Sequence, residues 1–541
     1  MSSSDTYDYI IIGGGQSGVV VAARLHEAHP HLSIALLEAG PDESHNPAVL
    51  SPYSYQTTKQ SQLNGREITH WGGRLYASGA IEKRLTRFYP TFDAWSALVD
   101  DERWSYKSLT PFFQKSEHFH DADADTSQHG LSGPMHTSSG GRDYALREPV
   151  KEALLSTGAP FNSDMNDGAP NGLARLVENW HNASRQHAAI CYSLDGVHVK
   201  TDTVVCRVLF DGKKTTGVEL TSGQTLTATR EVIISCGALR TPQLLMLSGI
   251  GPASEISRLS IAQVVDLPVG QNLHDHGSVN IAFKLKNPAA GYAVGSPLFN
   301  KPEYATGNPM DWIVSAAAPD ADLEVAAAKD GTTHTPVPSG GSRTDYEVTV
   351  MYASTAPEIA PMDGSHITAG VLCLSPTSRG TVTLSSTDPK DNPIVDPQYF
   401  TTEHDRAVIR AGIRTAFKAM ESDPLKPYIE GETPPPGLPA INSNSTDEEL
   451  DARVRGISAS WFHVAGTASM GQVVDAECKV YGIQGLRVVD CSIMSLSISG
   501  HLQAPMYGIA EAAADIIAKS YQFLTYRIIE ESVFIPETSI E

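Results

Sequence analysis

The first forty residues alternate between apolar runs and one glycine-rich segment. Residues 8–12 form a β-branched run, which is typical of a buried parallel strand. Residues 19–25 continue as an apolar helix, and residues 33–37 form a second apolar run that ends at Glu38. The order of strand, helix and strand predicts a βαβ unit at the amino-terminal end.

The glycine-rich segment between the first strand and the helix carries the pattern G-x-G-x-x-G at residues 13–18. Gly13 permits a tight turn, Gly15 lets the backbone approach a pyrophosphate, and Gly18 allows close packing of helix on strand. Glu38 lies twenty residues after Gly18, where it can bind a ribose diol. The segment therefore predicts a dinucleotide site, without distinguishing NAD from FAD.

Later patterns are shorter and less regular. Residues 371–374 and 380–384 predict strands of an antiparallel sheet. Residues 286–345 are rich in proline and glycine without clear periodicity, so we expect long loops over a pocket. A final helix is expected over 506–517, followed by a tail, 521–541, whose apolar side chains predict packing on its own chain or on a partner subunit.

Composition narrows the possible functions. The chain has 541 residues, which predicts two to four domains, and its 41% hydrophobic content supplies a large core. A net charge of −22 opposes binding to nucleic acid or to an anionic membrane.

The chain has no apolar run of 18 residues, and its first strand begins too near Met1 for a signal peptide, so we expect a soluble, cytoplasmic protein. The six cysteines contain no C-x-x-C pair, which predicts free thiols.

Several longer motifs recur in a fixed order along the chain. Residues 104–117 resemble the W-S-Y-x-x-L-x-P-Y-F-x-x-S-E stretch of the glucose-methanol-choline (GMC) oxidoreductases, and residues 237–251 are similar to that family's second signature. The remaining matching segments are 92–95, 267–276, 376–380, 396–399, 462–471, 486–490 and 499–505. The resemblance extends from about residue 8 to about residue 519 and implies an FAD enzyme.

The resemblance also implies how the chain is organised. It predicts an α/β fold in which a Rossmann-like FAD-binding domain is assembled from residues 1–160, 190–285 and 455–520. A substrate-binding domain with an antiparallel sheet, of α+β type, would occupy residues 286–454, and residues 521–541 would form a tail extension.

The cofactor contacts follow from the dinucleotide motif and from the resemblance. Asp490 corresponds to the position near the pyrophosphate and ribityl chain, and Val205 to a strand whose backbone meets adenine. The start of the final helix, near Ala504, would stabilise negative charge on the reduced flavin. The predicted cofactor-binding residues are Gly13, Gly15, Gly18, Glu38, Trp71, Gly72, Gly73, Val205, Asp490, His501, Leu502 and Ala504.

One signature departs from the family pattern. Where the family has G-G-S-S-x-x-N near the flavin, Arg74 and Leu75 replace the hydroxyl residues. Some members carry in this stretch a histidine that bonds covalently to the flavin, and here the corresponding position is Ala77 or Ser78. We therefore expect FAD to be bound without a covalent link.

The catalytic prediction rests on two histidines. Oxidation of an alcohol requires a base for the hydroxyl proton, and imidazole suits this role at neutral pH. By the resemblance, we expect His463 to be the base and His501 its alcohol-orienting partner, with an exchange of these roles between the two imidazoles as the alternative. His274 and His276 are predicted to be structural, and no residue is assigned as a metal ligand.

The predicted activity is FAD-dependent oxidation of an alcohol to an aldehyde or ketone, with electrons passing to oxygen or to another acceptor. Alternatives on the same fold are a lyase of hydroxynitrile-lyase type, a light-driven decarboxylase and a non-catalytic FAD-binding protein. Sugars, choline, aryl alcohols and polyketide or terpenoid alcohols remain possible substrates. We expect a monomer or a homodimer.

Overall fold

The computed structural model describes residues 5–42, 52–73, 89–122, 125–334 and 343–533. The helices are α1 (Gln16–Ala28), α2 (Tyr89–Val99), α3 (Tyr106–Ser116), α4 (Arg147–Leu155), α5 (Ala188–Cys191), α6 (Gly237–Leu247), α7 (Ala253–Arg258), α8 (Asp320–Asp330), α9 (Glu403–Met420), α10 (Asp447–Ile457) and α11 (Gln503–Val533). The strands are β1 (Thr6–Ile12), β2 (Ile34–Leu37), β3 (Pro52–Gln56), β4 (Thr69–Gly73), β5 (Glu117–Phe119), β6 (Met135–Thr137), β7 (Gly172–Arg175), β8 (Trp180–His181), β9 (Ser184–Arg185), β10 (His198–Lys200), β11 (Val205–Asp211), β12 (Lys214–Leu220), β13 (Thr225–Ile234), β14 (Gly277–Leu285), β15 (Trp312–Ala316), β16 (Tyr346–Met351), β17 (His366–Cys373), β18 (Thr381–Thr383), β19 (Ile394–Asp396), β20 (Ile429–Glu432), β21 (Ala459–Ser460) and β22 (Leu486–Val488).

The first sheet contains the predicted βαβ unit. Its strand order is β10-β2-β1-β13-β12-β11, and β22 pairs with β13. Strand β1 runs parallel to both β2 and β13, with Ile10 opposite Ala35 and Val232. Residues 9–12 are apolar because a strand in the middle of a covered parallel sheet is buried on both faces. The prediction of a Rossmann-like unit is confirmed.

The second sheet is antiparallel and has its own core. Its order is β20-β14-β17-β16-β15-β7, and β21 pairs with β14. Helix α9 packs against β16 and β17 and places Val408, Ile409 and Ile413 in the same apolar cluster as this sheet. The predicted antiparallel sheet is therefore present, together with the predicted mixed α/β and α+β character of the fold.

Two predictions in this region need correction. The predicted strand at 380–384 does not join the large sheet, because β18 pairs with β19 in a separate two-stranded sheet. Residues 286–345 are not only loops, since they contain β15 and α8. Strand β15 is five residues long and sits between β16 and β7, so it is too short and too uniformly buried to show periodicity.

The membership of the sheets also bears on the predicted domain boundaries. Strand β14 lies in the second sheet, although residues 277–285 fell within the predicted FAD-binding segment 190–285. Strand β7, at Gly172–Arg175, joins the second sheet from a stretch that the prediction had assigned to neither domain. The division into two domains remains a proposal, with the boundary moved to just before Gly277.

The last helix is longer at both ends than the predicted 506–517. Helix α11 begins at Gln503 and continues to Val533, so Pro505 lies in its first turn, where its missing N–H costs no hydrogen bond. The helix packs against α1 and α3. Part of the predicted tail, 521–533, is thus helical, while 534–541 lies outside the described residues. Among the helices described, none has the length and apolar character needed to cross a membrane.

Candidate active site

A cavity of about 560 Å³ opens at the end of the first sheet and is bordered by α6, β4 and the start of α11. Many of the predicted cofactor residues line it: Gly13, Gly15, Glu38, Trp71, Gly72, Val205, Asp490 and Leu502. Four others are outside its lining: Gly18, Gly73, His501 and Ala504. Arg74, Leu75, Ala77 and Ser78 lie outside the described residues.

The glycine turn after β1 leaves no room for side chains. Gly13 has φ +103°, and a Cβ there would lie 2.3 Å from the carbonyl oxygen of Ser235. A Cβ on Gly18 would lie 1.9 Å from the carbonyl oxygen of Gly13. Gly18 therefore acts through close packing of α1 on the turn, as predicted, and need not touch the ligand itself.

Glu38 is held at the end of β2 by backbone donors. Its Oε2 accepts the N–H of Gly14 and its Oε1 accepts the N–H of Gly40, both at 2.8 Å. These bonds fix the carboxylate on the cavity wall next to the glycine turn. This is the position expected for an acid that binds a ribose diol.

Asp490 organises the opposite side of the turn. Its Oδ2 accepts the N–H of Gly237 at 2.9 Å and the hydroxyl of Thr241 at 2.6 Å, and its Oδ1 accepts the N–H of Ser492 at 2.8 Å. Burial raises the pKa of this carboxyl. Asp490 thus fixes the start of α6 at the cavity in addition to lining it.

Gln503, the first residue of α11, presents an unsatisfied amide to the cavity. Its backbone oxygen accepts a 2.6 Å hydrogen bond from Gln16 Nε2, but neither side-chain polar atom makes a hydrogen bond of normal geometry. A buried amide without partners loses free energy unless a ligand supplies them. With the glycine turn and Glu38, this amide fits a large dinucleotide such as FAD.

The candidate base His463 lies on the cavity wall and is 5% exposed. Its Nδ1 is 2.8 Å from Nδ1 of His276, whose Nε2 is 3.1 Å from the Ser497 hydroxyl. The sequence placed His276 among structural histidines, but the structure places it directly against the candidate base.

His501 is fully buried behind the cavity wall. Its ring centroid is 5.0 Å from that of His463, with the two planes at 89°. Its Nε2 is 3.0 and 3.1 Å from the two carboxylate oxygens of Glu347, which is also fully buried. With Glu347 as a carboxylate, which only accepts hydrogen bonds, Nε2 of His501 is the donor of this pair. Sequence reasoning missed Glu347, which lies in β16 of the other sheet.

A buried network holds the loop that carries His463. Asp275 Oδ1 accepts the backbone N–H of His463 at 2.7 Å, and Asp275 Oδ2 accepts the Ser460 hydroxyl at 2.6 Å and the Tyr399 hydroxyl. His70 lies 3.1 Å from both hydroxyls, and burial lowers its pKa. Asp275 lies in the motif at 267–276, where sequence analysis assigned it no role.

The loop itself has a constrained backbone. Phe462, which directly precedes His463, has φ +63°, a conformation that side chains larger than glycine seldom adopt. The bonds from Asp275 and Ser460 to this loop, including the 2.8 Å bond from the Phe462 N–H to the Ser460 hydroxyl, stabilise that conformation. The arrangement places one imidazole of defined orientation at a cavity wall, which can take a proton from a bound hydroxyl group.

Comparison with known proteins agrees with these motifs. Two family models described as GMC oxidoreductase match residues 7–278 and 376–510. The chain is 43% identical to the GMC-type oxidoreductase acuG of Aspergillus aculeatus, covering 95% of this chain and 99% of that protein. It is 30% identical to pyranose dehydrogenase 3 of Leucoagaricus meleagris, over 96% of this chain and 94% of that protein. A solved structure of formate oxidase from Aspergillus oryzae is similar with a TM-score of 0.86 and 25% identity, covering 97% of this chain and 100% of that chain.

Proposed function

The chain belongs to the GMC oxidoreductase family, whose cofactor is FAD, and we propose that it oxidises an alcohol to an aldehyde or ketone. The observation that carries this proposal is the position of His463, on the wall of the cavity that also holds the glycine turn and Glu38. His501, paired with Glu347 from the second sheet, lies directly behind it.

In the proposed reaction, His463 removes the hydroxyl proton of the substrate. If Nδ1 of His463 donates to Nδ1 of His276, the acceptor nitrogen of the neutral ring is Nε2, which takes the proton. FAD, when bound, supplies the acceptor for the hydride that leaves the substrate carbon. We propose that His463 Nδ1 is the donor of this bond, because that tautomer leaves Nε2 as the acceptor for the substrate proton.

The buried pair His501–Glu347 sets the charge around this base. Glu347 favours a protonated Nε2 on His501 and stabilises positive charge on the adjacent imidazoles while His463 holds the substrate proton. The imidazole of His463 lies between those of His276 and His501, with ring centroids 4.9 and 5.0 Å away. We assign His463 as the catalytic base and His501 as its partner, with Glu347 as a positioning residue.

We also propose that FAD is held without a covalent link. By the resemblance, the attachment position is Ala77 or Ser78, neither of which offers an imidazole. The described cavity supplies non-covalent contacts in the glycine turn, Glu38 and the amide of Gln503. The proposed cofactor contacts are the predicted residues on the cavity wall, with Gln503 added.

Anaerobic reduction of the flavin tests the function directly. The holoenzyme is mixed without oxygen with a panel of sugars, choline, aryl alcohols, terpenoid alcohols and formate, and flavin absorbance is followed. Bleaching by at least one alcohol, with appearance of the matching carbonyl, is the expected result. A substrate that is cleaved or rearranged while the flavin stays oxidised contradicts the proposal and favours a lyase. Bleaching by formate alone also contradicts alcohol oxidation.

A further inference from the structure

Four histidines that sequence analysis set aside come together away from the cavity. His118 lies in β5 and His120 directly follows it, while His136 lies in β6 and His181 in β8. Their rings form a stack, with the centroid of His136 4.8 Å from His118, 5.0 Å from His120 and 4.3 Å from His181. None of the four lines the cavity.

Regular backbone pairing places these rings together. Strands β5 and β6 are parallel, with His118 opposite His136, and the N–H of His120 donates to the carbonyl of Thr137 at 3.0 Å. Since side chains alternate along a strand, His118 and His120 share a face. Ser138 and Glu178 pair through two further backbone bonds, of 3.0 and 2.8 Å, which join β6 to the segment leading into β8.

We propose that His118, His120 and His136 form a binding site for a divalent transition-metal ion such as Zn²⁺, with His181 beside it. One ring nitrogen from each of the three lies within 4.8 Å of the other two. Imidazole is a ligand that Zn²⁺, Cu²⁺ and Ni²⁺ all accept, and three histidines are a sufficient protein ligand set for zinc. The sequence analysis assigned no metal ligand.

The cluster is open to an ion from solvent. His120 Nε2 and His136 Nδ1 are 2.7 Å apart, so one ring donates an N–H to the other, and an ion bound here would take the place of that proton. The carboxylate next to them, Asp121, already accepts the N–H of Ser139 at 3.1 Å. His120 is exposed and the other three rings are half-buried, which gives an ion a direct path from solvent.

Coordination requires only side-chain movement. The rings of His118, His120 and His136 are stacked and parallel to within 22°. Because a ring nitrogen binds a metal ion in the plane of its own ring, the rings must turn before all three can reach one ion. Zinc–nitrogen bonds of about 2.0–2.1 Å bring tetrahedral ligand atoms to about 3.4 Å from one another. The ring nitrogens now lie within 4.8 Å of one another, and rotation of the rings about their side-chain bonds brings them to the shorter distance while the hydrogen-bonded strands stay in place.

The site lies behind the start of α11. Phe119, on the opposite face of β5 from His118 and His120, packs with Val177 and Ala504. Ala504 lies in the first turn of the helix whose neighbouring residues line the cavity. An ion bound by the histidines therefore fixes the strand on which this helix end rests.

Titration of the metal into the FAD-loaded enzyme tests the proposal. After treatment with a chelator and buffer exchange, ZnCl₂ is titrated by calorimetry, and CoCl₂ is added in a parallel experiment to record its visible absorption. We expect one ion per chain, cobalt bands typical of nitrogen ligands at low coordination number, and a higher melting temperature with Zn²⁺. His120→Ala and His136→Ala should each weaken zinc binding by about tenfold or more.

The control is His31→Ala, which removes an exposed histidine outside the cluster and should leave zinc affinity unchanged. Flavin absorbance and the metal-free melting temperature show whether each variant is folded, and His120→Ala, at the exposed position, is the variant least able to disturb folding. Absence of stoichiometric binding to the native enzyme overturns the proposal. The proposal is also overturned if His31→Ala lowers zinc affinity as much as the two cluster variants do, or if His120→Ala and His136→Ala leave zinc affinity unchanged.

Discussion

At the scale of single residues, the candidate base depends on neighbours that come from distant parts of the chain. His463 contacts His276 through Nδ1, receives its backbone anchor from Asp275 and faces the ring of His501. Each of these contacts helps to orient the imidazole at the cavity wall.

Replacement of the base gives the first prediction. His463→Ala should retain FAD and slow flavin reduction by the best substrate about 10²–10⁴-fold, because a positioned general base contributes about that much. Stopped-flow absorbance under anaerobic conditions measures the rate. His31→Ala is the control and should reduce at the native rate. Near-native reduction by His463→Ala would remove this residue from the mechanism.

Glu347 gives the second prediction. Glu347→Gln keeps the shape of the side chain but removes its charge, which weakens the stabilisation of positive charge on the imidazoles beside it. We expect kcat to fall about tenfold with little change in KM, and the pH profile of kcat/KM to move to lower pH. A variant that loses only thermal stability, with an unchanged pH profile, would show that Glu347 has a structural role alone.

Asp311, away from the cavity lining, gives a prediction on stability. Burial raises the pKa of its carboxyl to about 6, although Arg147 and a 3.1 Å hydrogen bond from the Tyr352 hydroxyl oppose the shift. The pKa of this carboxyl is therefore higher in the folded than in the unfolded protein, where it is near 4. Such a carboxyl contributes its full stabilisation of the folded state below pH 4, and the contribution is lost as the pH rises through about 6. The loss is about 3 kcal/mol at 1.36 kcal/mol per pKa unit.

Asp311→Asn should not lose this stability as the pH rises, because the amide of asparagine does not ionise. Relative to the native protein, the variant should gain about 3 kcal/mol in free energy of unfolding between pH 4 and pH 7. Urea unfolding at several pH values measures the difference. If that difference is the same at every pH, Asp311 does not titrate in this range.

At the scale of elements, the turn from β1 into α1 is packed closely beside the cavity. Gly18 brings α1 close enough that a Cβ would lie 1.9 Å from the Gly13 carbonyl oxygen. Backbone atoms cannot move aside as a flexible side chain can, so the helix itself must shift.

Gly18→Ala should therefore lower both stability and FAD content. We expect a loss of about 1–3 kcal/mol or more from overpacking and a reduced ratio of flavin to protein absorbance. Gly431→Ala is the matched control, since a Cβ at Gly431 meets nothing within 4 Å. Equal FAD content and equal melting temperatures in the two variants would contradict the role assigned to the turn.

At the scale of the whole molecule, the cavity is built from segments spread over nearly the entire chain. Its lining includes Gly13 and Glu38 near one end, Cys236 and Arg240 in the middle, and Met506 near the other end. A ligand that contacts all of these segments stabilises the folded state by mass action, by about 2.7 kcal/mol at a hundred times its Kd.

The mode of cofactor attachment is tested at this scale. Acid or heat denaturation followed by filtration should release yellow FAD into the filtrate, because the proposed contacts are non-covalent. Apoprotein that is reloaded with FAD should melt at a higher temperature than the apoprotein alone. Flavin that stays with the precipitated chain would contradict non-covalent binding, and the site of attachment could then be found by peptide mapping.

The sequence by itself determined those features that depend on short stretches of chain. The βαβ unit, the glycine turn and Glu38 follow from local patterns, since strand and helix periodicity and turn residues act over fewer than about twenty residues. The choice of His463 follows from the resemblance of residues 462–471 to the family's motif. Motif order along the chain identified the family and, through it, FAD.

Only the tertiary structure decided which distant residues meet. The pairing of His501 with Glu347 joins positions 154 residues apart, and that of His463 with His276 joins positions 187 apart. Strand β15 and the stack around His136 likewise depend on sheet pairing. No local pattern encodes such contacts, because side chains from separate strands come together only when the sheets pack and bury them.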